Sequence, residues 1–390
     1  MKIEKGNPRH WLLLAQQSFY TLLSAACRLV SSRPRKPIVV LYGHQLSGNL
    51  KALYEQWRQS HSDDLDCYFL SLDPENGAQL RRQGVRVLQC NRLRDMLLVG
   101  RSDAIITDHG LHLMSPLLRL TDIKFIDVWH GIPFKGFVPE DFRVQQRYHE
   151  VWVSSPLLKK IYETQFGFAP DKVVDAGYAR ADTLFRGDAP ANSYRRQAAI
   201  PETNELVLYA PTWQQDHQGH ELFPFGESQE SFIEALSQVC AANSATLVIR
   251  SHLNARISEK QFDNVLYCPM KTFPDTEGLL QETDILICDW SSIAFDYLAL
   301  DRPAIFLDVK SPYRNGFSLG SEYRFGEVVQ DMAALKEQLA AILRNPGDYK
   351  ERRGAAHADI TAQVYGEHTD GRAASRQLDR LVKMIARGNQ

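Results

Sequence analysis

Residues 284–308, DILICDWSSIAFDYLALDRPAIFLD, admit few backbone solutions. The apolar run 285–288 reads as a buried strand, Asp289-Trp290-Ser291-Ser292 as a sharp turn, and 293–300 as a helix. A second apolar run, 304–307, is entered through Arg302-Pro303. Strand, turn, helix and strand in that order form a βαβ unit, since parallel strands need a crossover. Ser291 and Ser292 then sit at the carboxyl end of a strand and the amino end of a helix. Unpaired N–H groups, the helix dipole and two hydroxyls suit phosphate oxygens there. A simple helix cap is the plain alternative for the pair.

The same alternation fills most of the 390 residues. Apolar runs at 38–42, 67–70, 85–88, 104–107, 125–128, 151–153 and 173–175 predict the strands of a first half, interleaved with helical patterns. Runs at 206–209, 246–249 and 265–267, with the two strands above, predict a second half. This is an α/β pattern of two doubly wound, Rossmann-like domains, with a ligand expected outside the carboxyl ends of the strands, in the cleft between them. The polar stretch 186–205 is read as the connection. The expected boundaries are 37–190 for an N-terminal domain, 200–366 for a C-terminal one and 367–390 for a final helix.

Forty-five basic against 47 acidic side chains imply no general attraction to nucleic acid. The six cysteines form no C-x-x-C pair and mostly adjoin apolar runs, as reduced core residues of a cytoplasmic protein do.

Residues 1–36 contain the segment WLLLAQQSFYTLLSAACRLV, 11–30. On a helix, Gln17, Thr21, Ser24 and Arg28 line up on one side, and Trp11, Ala15, Phe19, Leu22, Ala26 and Leu29 on the other. Flanked by Arg9, Arg33, Arg35 and Lys36, it is expected to lie peripherally on the cytoplasmic face of a membrane; plain docking on the domain is the alternative. Gln16, Gln17 and Ser18 in mid-segment argue against a full span.

Several polar residues fall at the carboxyl ends of predicted strands. His130 follows the strand 125–128 directly, with Gly131, Pro133 and Lys135 next. That setting suits a general base beside an anion that Lys135 could contact, although a structural histidine is the commoner use. Arg250 and His252 end the strand 246–249 and could bond and neutralise a departing phosphate. Thr212, in Ala210-Pro211-Thr212-Trp213, offers a hydroxyl. Asp296, one turn beyond Ser292, could accept from ribose hydroxyls or belong to a solvated helix face. His368 to Ala373 opens the last helix, as a possible N-cap. No Asp-x-Asp pair or H-x-x-x-H spacing stands in these segments, so no metal and no cofactor is expected.

WHGIPFKGF (129–137), GYARADTLF (177–185), YAPTW (209–213), IRSH (249–252), DILICDWSSIAFDYLALDRPAIF (284–306) and HTDGRAA (368–374), with GNLKALYE (48–55), carry a resemblance. From about residue 38 onward the chain resembles the CDP-glycerol glycerophosphotransferases of wall teichoic acid and related bacterial polymers. The resemblance implies a GT-B fold, with the donor held mainly by the C-terminal domain and an N-terminal domain associated with the membrane. It implies transfer of glycerol phosphate, or a similar polyol phosphate, from a CDP-activated donor to a hydroxyl of a lipid-linked saccharide or polymer, with release of CMP. His130 then matches the family's base and His252 the histidine on the donor phosphates. Ser291 and Ser292 match the phosphate-binding pair, and Asp296 the ribose acid of related folds. Ile132, Phe134, Ala179, Ala181 and Leu253 depart from the family's usual residues and leave the acceptor open. By size the chain resembles the primases. A GT-B glycosyltransferase or sugar-nucleotide epimerase is the alternative reading.

Overall fold

The computed structural model describes residues 8–31, 34–110, 114–212, 223–250 and 262–387. The chain divides into two compact units. Unit 1 comprises Met1–His130, Pro139–Asp182 and Arg372–Gln390, and unit 2 comprises Gly131–Val138 and Thr183–Gly371.

Unit 1 is built on a seven-stranded parallel sheet of order β3-β2-β1-β4-β5-β6-β7. Its strands are β1 (Ile38–Tyr42), β2 (Asp66–Ser71), β3 (Val87–Gln89), β4 (Ala104–Thr107), β5 (Lys124–Asp127), β6 (Glu150–Val153) and β7 (Val173–Asp175). Every residue of β1 is buried. Val39 and Leu41 point into one core, with Leu50, Leu53 and Trp57. Ile38, Val40 and Tyr42 point into the other, with Met96, Val99 and Phe125. A strand buried on both faces reads as a continuous apolar run, which is why these strands are visible in the sequence.

Unit 2 carries six parallel strands in the order β10-β9-β8-β11-β12-β13. They are β8 (Glu205–Tyr209), β9 (Ala245–Ile249), β10 (Val265–Tyr267), β11 (Ile285–Cys288), β12 (Ala304–Leu307) and β13 (Glu327–Val329). Counted from its own first strand, this is again 3-2-1-4-5-6, the doubly wound order. The strand order reverses between β1 and β4 in one sheet and between β8 and β11 in the other.

The expected boundaries need correction. The divide falls between Asp182 and Thr183, so the polar stretch 186–205 lies within unit 2. There Ser193 and Arg195 bond the Glu282 side chain, and Arg195 pairs with Asp284 at 2.6 Å. The last helix, Ala373–Arg387, is not a separate piece; it belongs to unit 1. Ala374, Leu378, Leu381 and Ile385, at 4-3-4 spacing, bury into the same core as Val39 and Leu41. Each of the three larger side chains contributes about 2 kcal/mol by leaving water. β13 was not expected, because Glu327 and the exposed Val328 make no apolar run, and β3 starts late, at Val87 instead of Val85.

The buried Asp182 carboxylate caps that helix. Its two oxygens accept from the N–H groups of Ala373 and Ala374 at 2.9 and 2.8 Å. Asp182→Ala leaves two buried donors unpaired and is expected to destabilise the protein by about 2 kcal/mol. Calorimetry should show a lowered Tm, and hydrogen exchange should show early loss of protection over 373–387. Unchanged protection there would refute the cap.

Candidate active site

In unit 1 the chain leaves β5 through Asp127 and turns sharply at Trp129, whose φ of 46° lies in the left-handed region that a bulky residue rarely adopts. Several groups hold this turn. The Trp129 N–H donates to Asp127 Oδ1 at 2.9 Å. Asn49, in the first turn of the helix Gly48–Gln56, donates its amide to the carbonyls of Val128 and Trp129, both at 2.9 Å. Arg180 donates from Nη1 to the His130 carbonyl at 2.9 Å, while its own N–H donates to Asn49 Oδ1 at 2.9 Å. The GNLKALYE, WHG and GYARAD motifs thus converge on one backbone turn.

The consequence is an oriented imidazole. His130 Nδ1 lies 3.0 Å from the Asp108 carbonyl oxygen. A carbonyl can only accept, so Nδ1 carries the proton and the Nε2 lone pair is left to act as a base. Desolvation, the neighbouring His109, and Arg180 and His44 push His130 well below the ordinary imidazole range, against the support of the Asp108 carbonyl. The residue still keeps a solvent-exposed surface. Beneath the turn, burial pushes the Asp127 carboxyl up to about 7, with Asp108 adding to the effect and the Trp129 N–H opposing it.

In unit 2 the β11 turn is organised by Asp289. This buried carboxylate accepts from the Thr212 N–H at 2.7 Å and the Thr212 hydroxyl at 2.5 Å, joining the ends of β8 and β11 where the strand order reverses. Trp290 is buried next to it, donates Nε1 to Val309 O at 2.9 Å, and carries the Arg324 guanidinium 3.5 Å above its ring. Tyr313 donates to the Trp290 carbonyl at 2.5 Å. Ser291 is half-buried and Ser292 exposed at the start of the helix Ile293–Leu298, and Ser292 makes no side-chain cap bond. Gly131 runs against it: a Cβ there would lie 3.1 Å from Ser292 Oγ, so glycine permits the approach.

The structure places the expected residues as follows. Ser291, Ser292 and Thr212 share the carboxyl edge of the unit 2 sheet, but the Thr212 hydroxyl is engaged by Asp289. Arg250 is buried and bonds Phe273 O at 3.1 Å and Thr276 Oγ1 at 2.8 Å, bracing the loop after β10. Asp296 is buried, which removes the solvated-face alternative. Lys135 belongs to unit 2, bridged to Phe317, with its ammonium 5.0 Å over the Phe137 ring. His252 lies outside the described residues. Sequence reasoning missed Asn49, Asp108, His109, Arg180 and Asp289 as individual residues, although four of them lie in or beside quoted motifs or strand ends. Among the described residues, no group of His, Cys, Asp and Glu is arranged to hold a metal ion.

Two doubly wound units in one chain, each with its polar cluster at the carboxyl ends of the strands, make the two-domain α/β architecture of GT-B type. Residues 26–383 match the family model of the CDP-glycerol:poly(glycerophosphate) glycerophosphotransferases. The chain is 25% identical over 405 residues to the teichoic acid glycerol-phosphate transferase of Staphylococcus aureus (strain NCTC 8325 / PS 47), covering 95% of this chain and 98% of that protein. It is 22% identical over 398 residues to the teichoic acid glycerol-phosphate primase of Bacillus subtilis (strain 168), covering 96% and 99%. Its fold matches the solved structure of the wall teichoic acid polymerase TagF with a TM-score of 0.75 at 18% identity, over 97% of this chain and 95% of that one. The chain therefore belongs to the CDP-glycerol:poly(glycerophosphate) glycerophosphotransferase family and is an enzyme of that class.

Asn49→Ala removes three of the bonds around the Trp129 turn. With His130 as the expected base, a misplacement of about 1 Å costs on the order of a hundredfold, so kcat should fall roughly 10- to 100-fold with donor KM little changed. Steady-state kinetics with a CDP-activated donor measures this, and an unaltered kcat would show that the turn holds without Asn49.

Proposed function

We propose that this protein transfers glycerol phosphate from CDP-glycerol to a hydroxyl of a lipid-linked saccharide, in the manner of a primase, and releases CMP. His130 takes the proton of the attacking hydroxyl through Nε2. The oxygen attacks the β-phosphorus in line, the bond from that phosphorus to the bridging oxygen breaks, and CMP departs with the electron pair. Ser291, Ser292 and the N–H groups of their turn hold the donor diphosphate, and His252 is assigned to the same phosphates. Asp296 and Arg250, both buried, support this edge of the unit from within. Lys135 is assigned to phosphate contact. Positioning and charge stabilisation supply most of the rate in such transfers. The observation that carries the reading is the locked tautomer of His130, held on a strained turn by side chains from two other motifs.

His130→Ala should lower kcat by about 10² to 10⁴ while CDP-glycerol still binds. The test is a panel of CDP-polyols and lipid-linked acceptors with the released nucleotide identified by mass. CMP formed from CDP-glycerol, and lost in the variant, supports the reading. Turnover of a UDP- or CMP-sugar instead, or full activity in His130→Ala, overturns it.

The N-terminal helix supports attachment to a membrane surface. Among the described residues, no helix is long and apolar enough to cross a membrane. The helix Pro8–Val30 turns its polar stripe inward: Gln17, Thr21 and Ser24 are buried, and Ser24 Oγ donates to Met96 O at 2.6 Å. Arg28 pairs with Asp122 at 2.6 Å. The opposite arc leaves Trp11, Leu12, Phe19, Leu22 and Leu29 at least half exposed, and Leu120 of the adjoining helix Ser115–Leu120 is 56% exposed. An apolar arc of this kind enters the headgroup boundary of a bilayer. Phe19→Glu with Leu22→Glu should reduce sedimentation with anionic vesicles at least about tenfold and leave the Tm unchanged. Equal sedimentation of variant and parent would remove the membrane assignment.

A further inference from the structure

The imidazole beside His130 has no part in the reading above. His109 follows β4 and stacks on His130 with ring centroids 4.2 Å apart and planes within 11°. Its Nδ1 lies 2.6 Å from Asp108 Oδ1. Asp108 thus serves both rings, with its carboxylate on His109 and its backbone carbonyl on His130. Gly43 makes room for that carboxylate, since a Cβ there would lie 2.6 Å from Asp108 Oδ1. We propose that His109, carrying a positive charge through its pairing with Asp108, is a positioning residue that holds the His130 ring plane and keeps His130 in its neutral, basic form.

Two imidazoles in parallel contact do not both carry a charge readily, and the one facing a carboxylate takes it. The groups facing the pair come from four strand ends. Asp108 after β4 and Asp127 at the end of β5 favour charge on His109, while His44 after β1 and Arg180 after β7 disfavour it on His130. His44 meets the His109 ring edge-on at 5.0 Å. Burial alone would push His109 down, but the Asp108 bond and charge outweigh it and hold His109 above the ordinary imidazole range. The His109 side chain is 34% accessible, so water screens part of the interaction. The functional gain is a base that stays unprotonated into mildly acidic conditions. A proton that it accepts from the alcohol is also held loosely and passes on after transfer.

The mechanistic part of this inference rests on the reading of His130 as base, and the experiment separates the two. The full-length protein, labelled with ¹³C at histidine Cε1, is titrated by NMR, with the two resonances assigned by their loss in His130→Gln and His109→Gln. In Asp108→Asn the His109 midpoint should fall by about one unit, and in both Asp108→Asn and His109→Gln the His130 midpoint should rise by about one unit. His109→Arg, which keeps the charge, should leave the His130 midpoint near that of the parent. The acid limb of kcat/KM should move up with His130 in the two neutralising variants and stay in place in His109→Arg. A His130 midpoint unmoved by His109→Gln, or moved equally by His109→Arg, overturns the proposal. A midpoint that moves while the kinetic limb does not supports the coupling and overturns His130 as the base.

Discussion

The reversed backbone at Trp129 is the constraint on which the placement of the His130 ring depends. A bulky residue at positive φ costs about 1–3 kcal/mol. Four hydrogen bonds oppose that cost: Asp127 on the Trp129 N–H, two from Asn49 and one from Arg180. At about 1 kcal/mol net each, they are together sufficient to hold the turn. The arrangement also explains why Asp127 sits fully buried at the end of β5. It supplies the one acceptor that the Trp129 N–H needs, and burial of its carboxyl is the energetic consequence.

Unit 2 repeats the strand order but assigns its charges differently. Arg250 braces the loop after β10, and Arg324 pairs with Asp308 at 2.9 Å and stacks on Trp290. Both residues are buried, Arg250 against the loop after β10 and Arg324 against the turn after β11. Buried cations used in this way brace the loops beside the carboxyl edge of the sheet. The serine hydroxyls and backbone N–H groups at the head of the helix Ile293–Leu298 are then aimed by a rigid frame, with Asp289 joining β8 to β11. In the donor site proposed above, preorganised dipoles of this kind need no rearrangement when charge develops.

Much of this was legible in the sequence, for a local reason. Strands buried on both faces appear as apolar runs, and twelve of the thirteen strands among the described residues were readable to within a residue or two. The strand-end positions of His130 and of the Ser291-Ser292 pair were legible because a strand end followed by a turn is itself a local pattern. What escaped was long-range. Asp182 caps a helix 191 residues away, a pairing that leaves no periodic trace. Residues 131–138 follow His130 directly, yet Gly136 donates to Gly316 O at 2.8 Å and Phe134 packs on Phe295 at 4.4 Å, so the segment belongs to unit 2. The Asp108–His109 pair escaped for another reason: adjacent residues in a loop resemble ordinary turn chemistry until their stacking partner, 21 positions on, is placed beside them.

The N-terminal helix turns the usual logic of amphipathic packing around. In water, burying Phe19 and Leu22 would contribute about 2 kcal/mol each, and exposing Gln17, Thr21 and Ser24 would cost almost nothing. The helix does the opposite. Its small polar side chains permit close contact: the Ser24 carbonyl lies where a Cβ on Gly100 would be only 2.3 Å away, and the Thr21 and Ser24 hydroxyls are satisfied by carbonyls. The inward face is therefore packed and hydrogen-bonded and not merely tolerated. The apolar transfer energy left unrealised on the outer face is recovered only if that face meets an apolar medium. The lipid surface proposed above would supply that medium with no change in the docking of the helix.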